Sequence, residues 1–343
     1  MTSRLRGLAL LLVLPVLAAC SSGSGETSAP PPASPSTGAT PSATPASTPP
    51  KATGVHVTKA QLAAAEPCGF VDTRLLSTYG KATVTPQRGF VGCDFSAAGK
   101  NANDLSGVVE LEIGLSGTKP GEPPQTARTI DGVAVYAQWT SDRDLCLRDI
   151  VAMPGAVLSV YASWSTPPAG DPCAGADAIT RSVVRALAEG RTKPANWPAS
   201  SLAQRDACKL LTAAEAARVP GSDRSKHPAF AGHGCTWGGE DVKLPSVYVS
   251  LSREEPPSSG PAVTLEGRRA RLDPKPRDEY ANLIGPSLPN CSAAVNYQPL
   301  RPAHGNWVET LTVVVAADTD NSTSLCNLAK DFARAALRRV PAA

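Results

Sequence analysis

Charge of one sign is not in excess, because the 343-residue chain has 33 Lys plus Arg against 30 Asp plus Glu. That balance supplies no footprint for nucleic acid and no whole-molecule steering of a charged ligand. Aromatic residues are scarce, at 5%, so core volume must come from aliphatic side chains, which favours two modest cores over one large one. Only four His are present, at 56, 227, 233 and 304, and neither His-Glu-x-x-His nor Cys-x-x-Cys occurs, so the usual zinc spacings are missing. His227 and His233 could gather round a metal with Cys208 and Cys235 only if both Cys were thiolates, and a disulfide between the two Cys removes both; solvent-facing His beside a loop are expected instead. No Gly-rich phosphate loop occurs, and no run of eighteen apolar residues follows the amino-terminal twenty, so no later membrane span is expected.

Catalytic constellations are missing too. Ser116-Gly117-Thr118-Lys119 has Ser-x-x-Lys spacing, but it precedes Pro120 at the end of a strand-like run and has no Ser-Asp-Asn or Lys-Thr-Gly partner. Asp318-Thr319-Asp320-Asn321 lacks the Gly and final Glu of a calcium loop, and helix capping explains these residues better. Glu110 and Glu112 alternate as they would on one solvated strand face, with no apolar pocket to raise either pKa. No catalytic residue, no metal and no cofactor is therefore expected.

What is present begins with an address. Arg4 and Arg6 precede an apolar run from Leu8 to Leu17 that ends in Leu17-Ala18-Ala19-Cys20. This reads as a signal peptide over residues 1–19 with a lipobox, after which the Cys20 thiol carries diacylglycerol. The expected location is extracytoplasmic, lipid-anchored to the cell membrane. After Cys20, residues 21–54 are Pro, Ser, Thr, Ala and Gly with Glu26 and Lys51 as the sole charges, so the segment 20–54 is expected to stay disordered as a tether. Its reach is about 30 Å as a coil and about 100 Å when stretched.

The remaining eight Cys, at 68, 93, 146, 173, 208, 235, 291 and 326, fall in two registers. Gly92-Cys93-Asp94-Phe95 answers Gly234-Cys235-Thr236-Trp237, Ile130-Asp131-Gly132-Val133 answers Leu265-Glu266-Gly267-Arg268, and Cys173 and Cys326 each open a final helix. The chain is a tandem repeat: a first module over 55–190, a linker over 191–200 that contains Trp197, and a second module over 201–343. Trp197 is expected to clamp the modules or to sit as a partly exposed anchor. In each copy the periodicity runs helix, about five strands, helix. The expected fold class is α+β, with antiparallel sheets and helices on one face. Extended runs fall at 91–96, 107–115, 129–139, 144–153 and 156–164, then at 234–238, 246–252, 262–272, 291–297 and 307–316. The last helix over 323–339 carries Leu325, Leu328, Phe332 and Ala336 on one stripe, matched by Ile179, Val183 and Leu187 in the first copy. Four Cys allow three pairings per module. Local closure is the least demanding, and gives Cys68 with Cys93, Cys146 with Cys173, Cys208 with Cys235 and Cys291 with Cys326.

The lipobox, the tether and the pattern of Cys before a helix, Gly-Cys-x-aromatic, a mid-module Cys and a Cys opening the last helix resemble the actinobacterial exported lipoproteins of unknown function. Ala207-Cys208-Lys209-Leu210-Leu211-Thr212 with Gly234-Cys235-Thr236-Trp237 is the most specific part, and the first copy departs from the pattern with Phe95 in place of Trp. The resemblance implies an envelope location and an α/β module similar to some extracellular kinase sensor domains. It carries over no catalytic residue.

The copies differ in charge: residues 55–190 hold 11 basic and 14 acidic side chains, and residues 200–343 hold 17 and 15. The second copy concentrates Arg268, Arg269, Arg271, Lys275 and Arg277 in one strand and turn, either as a partner-facing basic edge or as a ladder with the interleaved Glu266, Asp273, Asp278 and Glu279. The expected role is non-catalytic binding of a small apolar ligand or an envelope protein by a monomer. A structural spacer is the alternative, and an envelope hydrolase a more distant one.

Overall fold

The computed structural model describes residues 54–75, 81–86, 89–98, 107–114, 126–138, 145–163, 172–239, 243–276, 288–300, 306–319 and 321–341. The expected signal peptide, Cys20 and the tether up to residue 53 lie outside these residues, as do the Ser116 to Lys119 motif, Arg277 and His304. Residues 50–343 form one compact unit.

Each half builds a seven-stranded antiparallel sheet. The first contains β1 (Lys81–Pro86), β2 (Gly92–Ala98), β3 (Gly107–Gly114), β4 (Thr126–Ile130), β5 (Val133–Gln138), β6 (Leu145–Met153) and β7 (Ala156–Ser163), in the order β1-β2-β3-β7-β6-β5-β4. The second contains β8 (Lys226–Pro228), β9 (Gly234–Gly238), β10 (Ser246–Glu254), β11 (Ala262–Leu265), β12 (Arg268–Lys275), β13 (Asn290–Pro299) and β14 (Val308–Ala316), and its order, β8-β9-β10-β14-β13-β12-β11, is the same topology. The fold is α+β and repeats as two sheet-and-helix halves.

Seven strands replace the expected five in each copy. The runs 129–139 and 262–272 are hairpins, β4–β5 and β11–β12. Asp131 and Gly132 have φ of 46° and 81°, and Glu266 and Gly267 have φ of 48° and 76°. Two consecutive positive-φ residues make the tight turn whose twist matches that of the flanking strands. The other additions are the edge strands β1 and β8.

The opening helices are also shorter than expected. The helix α1 (Lys59–Ala63) precedes Cys68, and Cys68 itself sits in a 3-10 turn, Pro67–Phe70. In the second copy Cys208 occupies the 3-10 turn Ala207–Lys209, followed by the single-turn α3 (Ala213–Ala216). Segments this short do not hold as free helices. Capping boxes fix them locally, Thr58 with Gln61 and Thr212 with Glu215. The disulfides do the rest.

The four disulfides are Cys68–Cys93, Cys146–Cys173, Cys208–Cys235 and Cys291–Cys326, with Cα atoms 5.2, 5.3, 5.0 and 5.0 Å apart. One bond in each half ties the opening turn to β2 or β9. The other ties β6 or β13 to the last helix, α2 (Pro172–Ala188) or α4 (Ser322–Leu337). The cap of α4 is Asn321, whose side chain accepts from the Ser324 N–H, one position beyond the expected acids. Ile179, Val183 and Leu187 are fully buried, as are Phe332 and Ala336, so each final helix closes one face of its sheet.

The two cores interlock. Phe90, from the loop before β2, belongs to the second core with Leu202 and Leu251. Phe230, from the loop before β9, belongs to the first core with Leu62 and Phe70. Leu62 and Leu202 each lie six residues before the first Cys of their copy, and each half lends an aromatic to the core that contains the other's.

Candidate functional site

The linker joins this interlock. Its backbone pairs with the segment after α1, Glu66 donating to the Lys193 carbonyl at 2.7 Å and Ala195 to that of Ala64 at 2.9 Å. The fit is tight: a Cβ on Gly69 would stand 3.0 Å from the Lys193 Cβ. This leads Trp197 to the junction, where its ring lies 5.3 Å from Phe90, edge-on, and 5.1 Å from the Arg253 guanidinium of β10. Trp197 therefore clamps a first-half side chain against a second-half one.

Arg253 is 1% exposed and its carbonyl accepts the Gly89 N–H at 3.1 Å. Burial pushes its pKa below the ordinary guanidinium value, opposed by the charge of Glu66. Across the β10–β14 ladder it faces Glu309, which is fully buried. That carboxylate accepts from the Ser201 hydroxyl, from the Leu202 N–H at 2.7 Å and from Gln298 at 3.0 Å. Three donors offset the desolvation of the charge. They also fix the end of the linker on the second sheet.

His233 completes the junction. Its ring lies 5.0 Å from Phe90, and Nε2 is 3.0 Å from the Ala203 carbonyl. A carbonyl only accepts, so Nε2 carries the proton. Nδ1 is then an acceptor, buried and without a hydrogen-bond partner among the described residues. Burial lowers the His233 pKa, partly offset by the bond to Ala203. The expectation of a solvent-facing His fails here because Phe90 arrives from the other half and covers the ring. His56 is exposed, and His227 meets the Ser225 hydroxyl at 3.0 Å.

These side chains border a cleft of about 390 Å³ that is also lined by Ala60 and Ala63 of α1 and by its C-cap, Ala64. Trp197 also borders two neighbouring hollows, one of about 400 Å³ with Glu66 and Arg253, and one of about 300 Å³ with Pro198 and Leu300. The cleft joins these apolar walls to a polar side of Gln204, Arg205 and Asp206, with the His233 Nδ1 and the Arg205 Nε buried and without a hydrogen-bond partner among the described residues, while the buried Arg253 borders the neighbouring hollow. Apolar walls with a few convergent polar groups suit a small ligand. Phe90, the alanine wall and Arg253 were not found from the sequence, since their meeting depends on the contact between copies.

The basic segment of the second half is dispersed. Arg268 lies over the Tyr297 ring at 4.3 Å and donates to the Tyr297 carbonyl. Arg271 donates to the Gly260 carbonyl at 2.9 Å, and Lys275 approaches Asp273 at 3.9 Å. Arg269 and Arg271 border a shallow groove of about 340 Å³ with Pro256 and Pro257. Glu110 and Glu112 stand in β3 opposite Tyr161 and Ser159. Among the described residues no three His, Cys, Asp or Glu gather in a way that could hold a metal ion, and no helix is long and apolar enough to cross a membrane.

Comparison with known proteins adds a family but no activity. No curated protein matches the chain. Among solved structures, it is similar at 13% identity to the di-domain ARO/CYC StfQ from the steffimycin biosynthetic pathway, covering 80% of this chain and 93% of that one. The TM-score of 0.18 carries no argument about fold or ligand. A family model described as a protein of unknown function, DUF3558, matches residues 15–186, which run from the amino-terminal apolar segment into α2, and the chain belongs to that family.

Proposed function

We propose that the protein is a non-catalytic binding protein of the cell envelope, anchored through a lipid on Cys20, which takes a small apolar ligand into the cleft beside Trp197. The observation that carries the reading is the cleft of about 390 Å³ between Phe90, Trp197 and the alanines of α1, with the bare Nδ1 of His233 in its wall. A ligand with one hydroxyl or N–H on an apolar body satisfies that nitrogen and covers the aromatic faces. The envelope location is supported by the Leu17 to Cys20 lipobox and by four disulfides, which persist in oxidising compartments.

The test is native mass spectrometry of the exported full chain. A reproducible bound mass is expected, lost on denaturation and absent from Trp197→Ala protein of unchanged disulfide content. A clean unliganded mass in repeated preparations, or a bound mass that survives Trp197→Ala, overturns the reading.

A further inference from the structure

A second site, independent of the cleft, emerges when the outer face of the last helix is compared between the halves. Aligned on Cys173 and Cys326, Arg181 and Arg185 of α2 occupy the places of Arg334 and Arg338 of α4. In the second half both cations are matched: Arg334 meets Asp331 at 3.5 Å, and Arg338 meets Glu266 at 2.9 Å. Asp331 also takes Arg218 at 2.8 Å, and Glu215 takes Arg339 at 2.9 Å, so a network of ion pairs fills the space between α3 and α4.

The first half keeps one of those carboxylates, with Asp131 in the place of Glu266, and lacks the other two. Ala178 stands where Asp331 does, and Leu75, aligned on Cys68 and Cys208, stands where Glu215 does. A groove of about 550 Å³ opens there between the 70–75 segment and α2, lined by Arg181 and Arg185 together with Arg74, Arg191 and one carboxylate, Asp72. Arg74 is paired with Asp72 at 2.7 Å, and Arg191 with Glu189. Arg181 and Arg185 have no carboxylate partner among the described residues. Two like charges four residues apart on a helix repel, and a fold that keeps them without a partner gives up stability. A bound anion removes that cost.

We infer that this groove of the first half binds a ligand with a net-anionic phosphate group through the Arg181 and Arg185 guanidinium groups. Two planar forks one helical turn apart match the several oxygens of a phosphate better than the single edge of a carboxylate. Phe70, Val71 and Leu75 give the groove an apolar side, so a phosphate on a lipid and free phosphate are both admissible sources.

Calorimetric titration separates the sources and tests the site. The protein is the full chain with Cys20→Ser, exported from a heterologous signal peptide, so that no acyl group competes. The probes are inorganic phosphate and monomeric dihexanoyl phosphatidylglycerol, with dihexanoyl phosphatidylcholine as the zwitterionic control. Saturable binding is expected for at least one anionic probe, weakening with salt and falling more than tenfold in Arg181→Gln/Arg185→Gln. Ala178→Asp, which leaves both arginines in place and supplies the second half's carboxylate, should weaken binding as well at an unchanged melting temperature. Binding of the lipid alone assigns a headgroup, and binding of phosphate alone or of both assigns the bare anion. Absence of binding by both anionic probes, equal binding of phosphatidylcholine, or undiminished binding by the double variant overturns the inference.

Discussion

The two halves share a topology and differ in how the last helix meets the sheet beneath it. In the first half Asp177 of α2 accepts from Arg148 of β6 at 2.9 Å and from Arg128 of β4. Burial pushes the Asp177 carboxyl up, and the bonds from Arg128 and Arg148 more than reverse it, so it lies below the ordinary value. In the second half Lys330 stands in place of Asp177, with Ala293 and Val263 in place of Arg148 and Arg128. The ion triad therefore has no counterpart in the second half, and the elements common to both halves are the disulfide and the apolar stripe. The topology rests on those two, which leaves the charged positions free to diverge, as they do again on the outer face of the helices.

The comparison breaks most visibly at the interlock. Phe90→Ala should cost about 4 kcal/mol and Phe230→Ala a similar amount, each with the effect crossed. Hydrogen exchange should accelerate in the second sheet for Phe90→Ala and in the first for Phe230→Ala. Loss of protection confined to the half that carries the mutation would show that the cores are independent.

Opening Cys146–Cys173 or Cys291–Cys326 by paired Ala substitution should cost about 3.5 kcal/mol in either half, because closed loops of 27 and 35 residues differ little in their logarithm. Denaturant melts of the two variants would show a gap well above 1 kcal/mol if strain or local contacts, rather than loop closure, set the value. Next comes the triad. Asp177→Ala leaves Arg148, 8% exposed, without its carboxylate, and should lower stability by about 2 kcal/mol. Lys330→Ala should stay within about 0.5 kcal/mol. Arg148→Leu/Asp177→Leu should recover the loss, since apolar replacements of a buried pair are often neutral, and failure of that rescue in urea melts would assign the triad a role beyond support.

The smallest effect is a pH dependence confined to the second half. His233 has Val91 as its counterpart, and its folded pKa lies below the usual 6.5. Its contribution is fully present above the unfolded value, and it is lost as pH falls below 6.5 toward the folded pKa, where the unfolded chain takes up the proton first. Melting temperatures between pH 7.5 and 5 should slope less in His233→Val; identical slopes would remove His233 as the source.

The cysteine registers made the repeat legible, and the local pairing followed from closure. Strand positions follow from alternation, but alternation runs through Asp131-Gly132 and Glu266-Gly267 as if each hairpin were one strand, and only the turn chemistry of those pairs divides it. The short opening helices misled for another reason: disulfides and capping boxes sustain turns that periodicity extends too far. The candidate site was least legible. Trp197 stood out by type, while Phe90 and Phe230 look like ordinary core residues of their own halves. Arg74, Arg181, Arg185 and Arg191 are scattered in a segment that is acidic overall, so no local charge count marks their groove.

The exchange of Phe90 and Phe230 has a consequence for assembly. Two separate copies of such a module would meet through the same pair of aromatics only at concentrations above their dissociation constant. Joined by ten residues, the partners see each other at an effective concentration fixed by the linker. The paired state, with the cleft that forms only between partners, then persists however dilute the protein is.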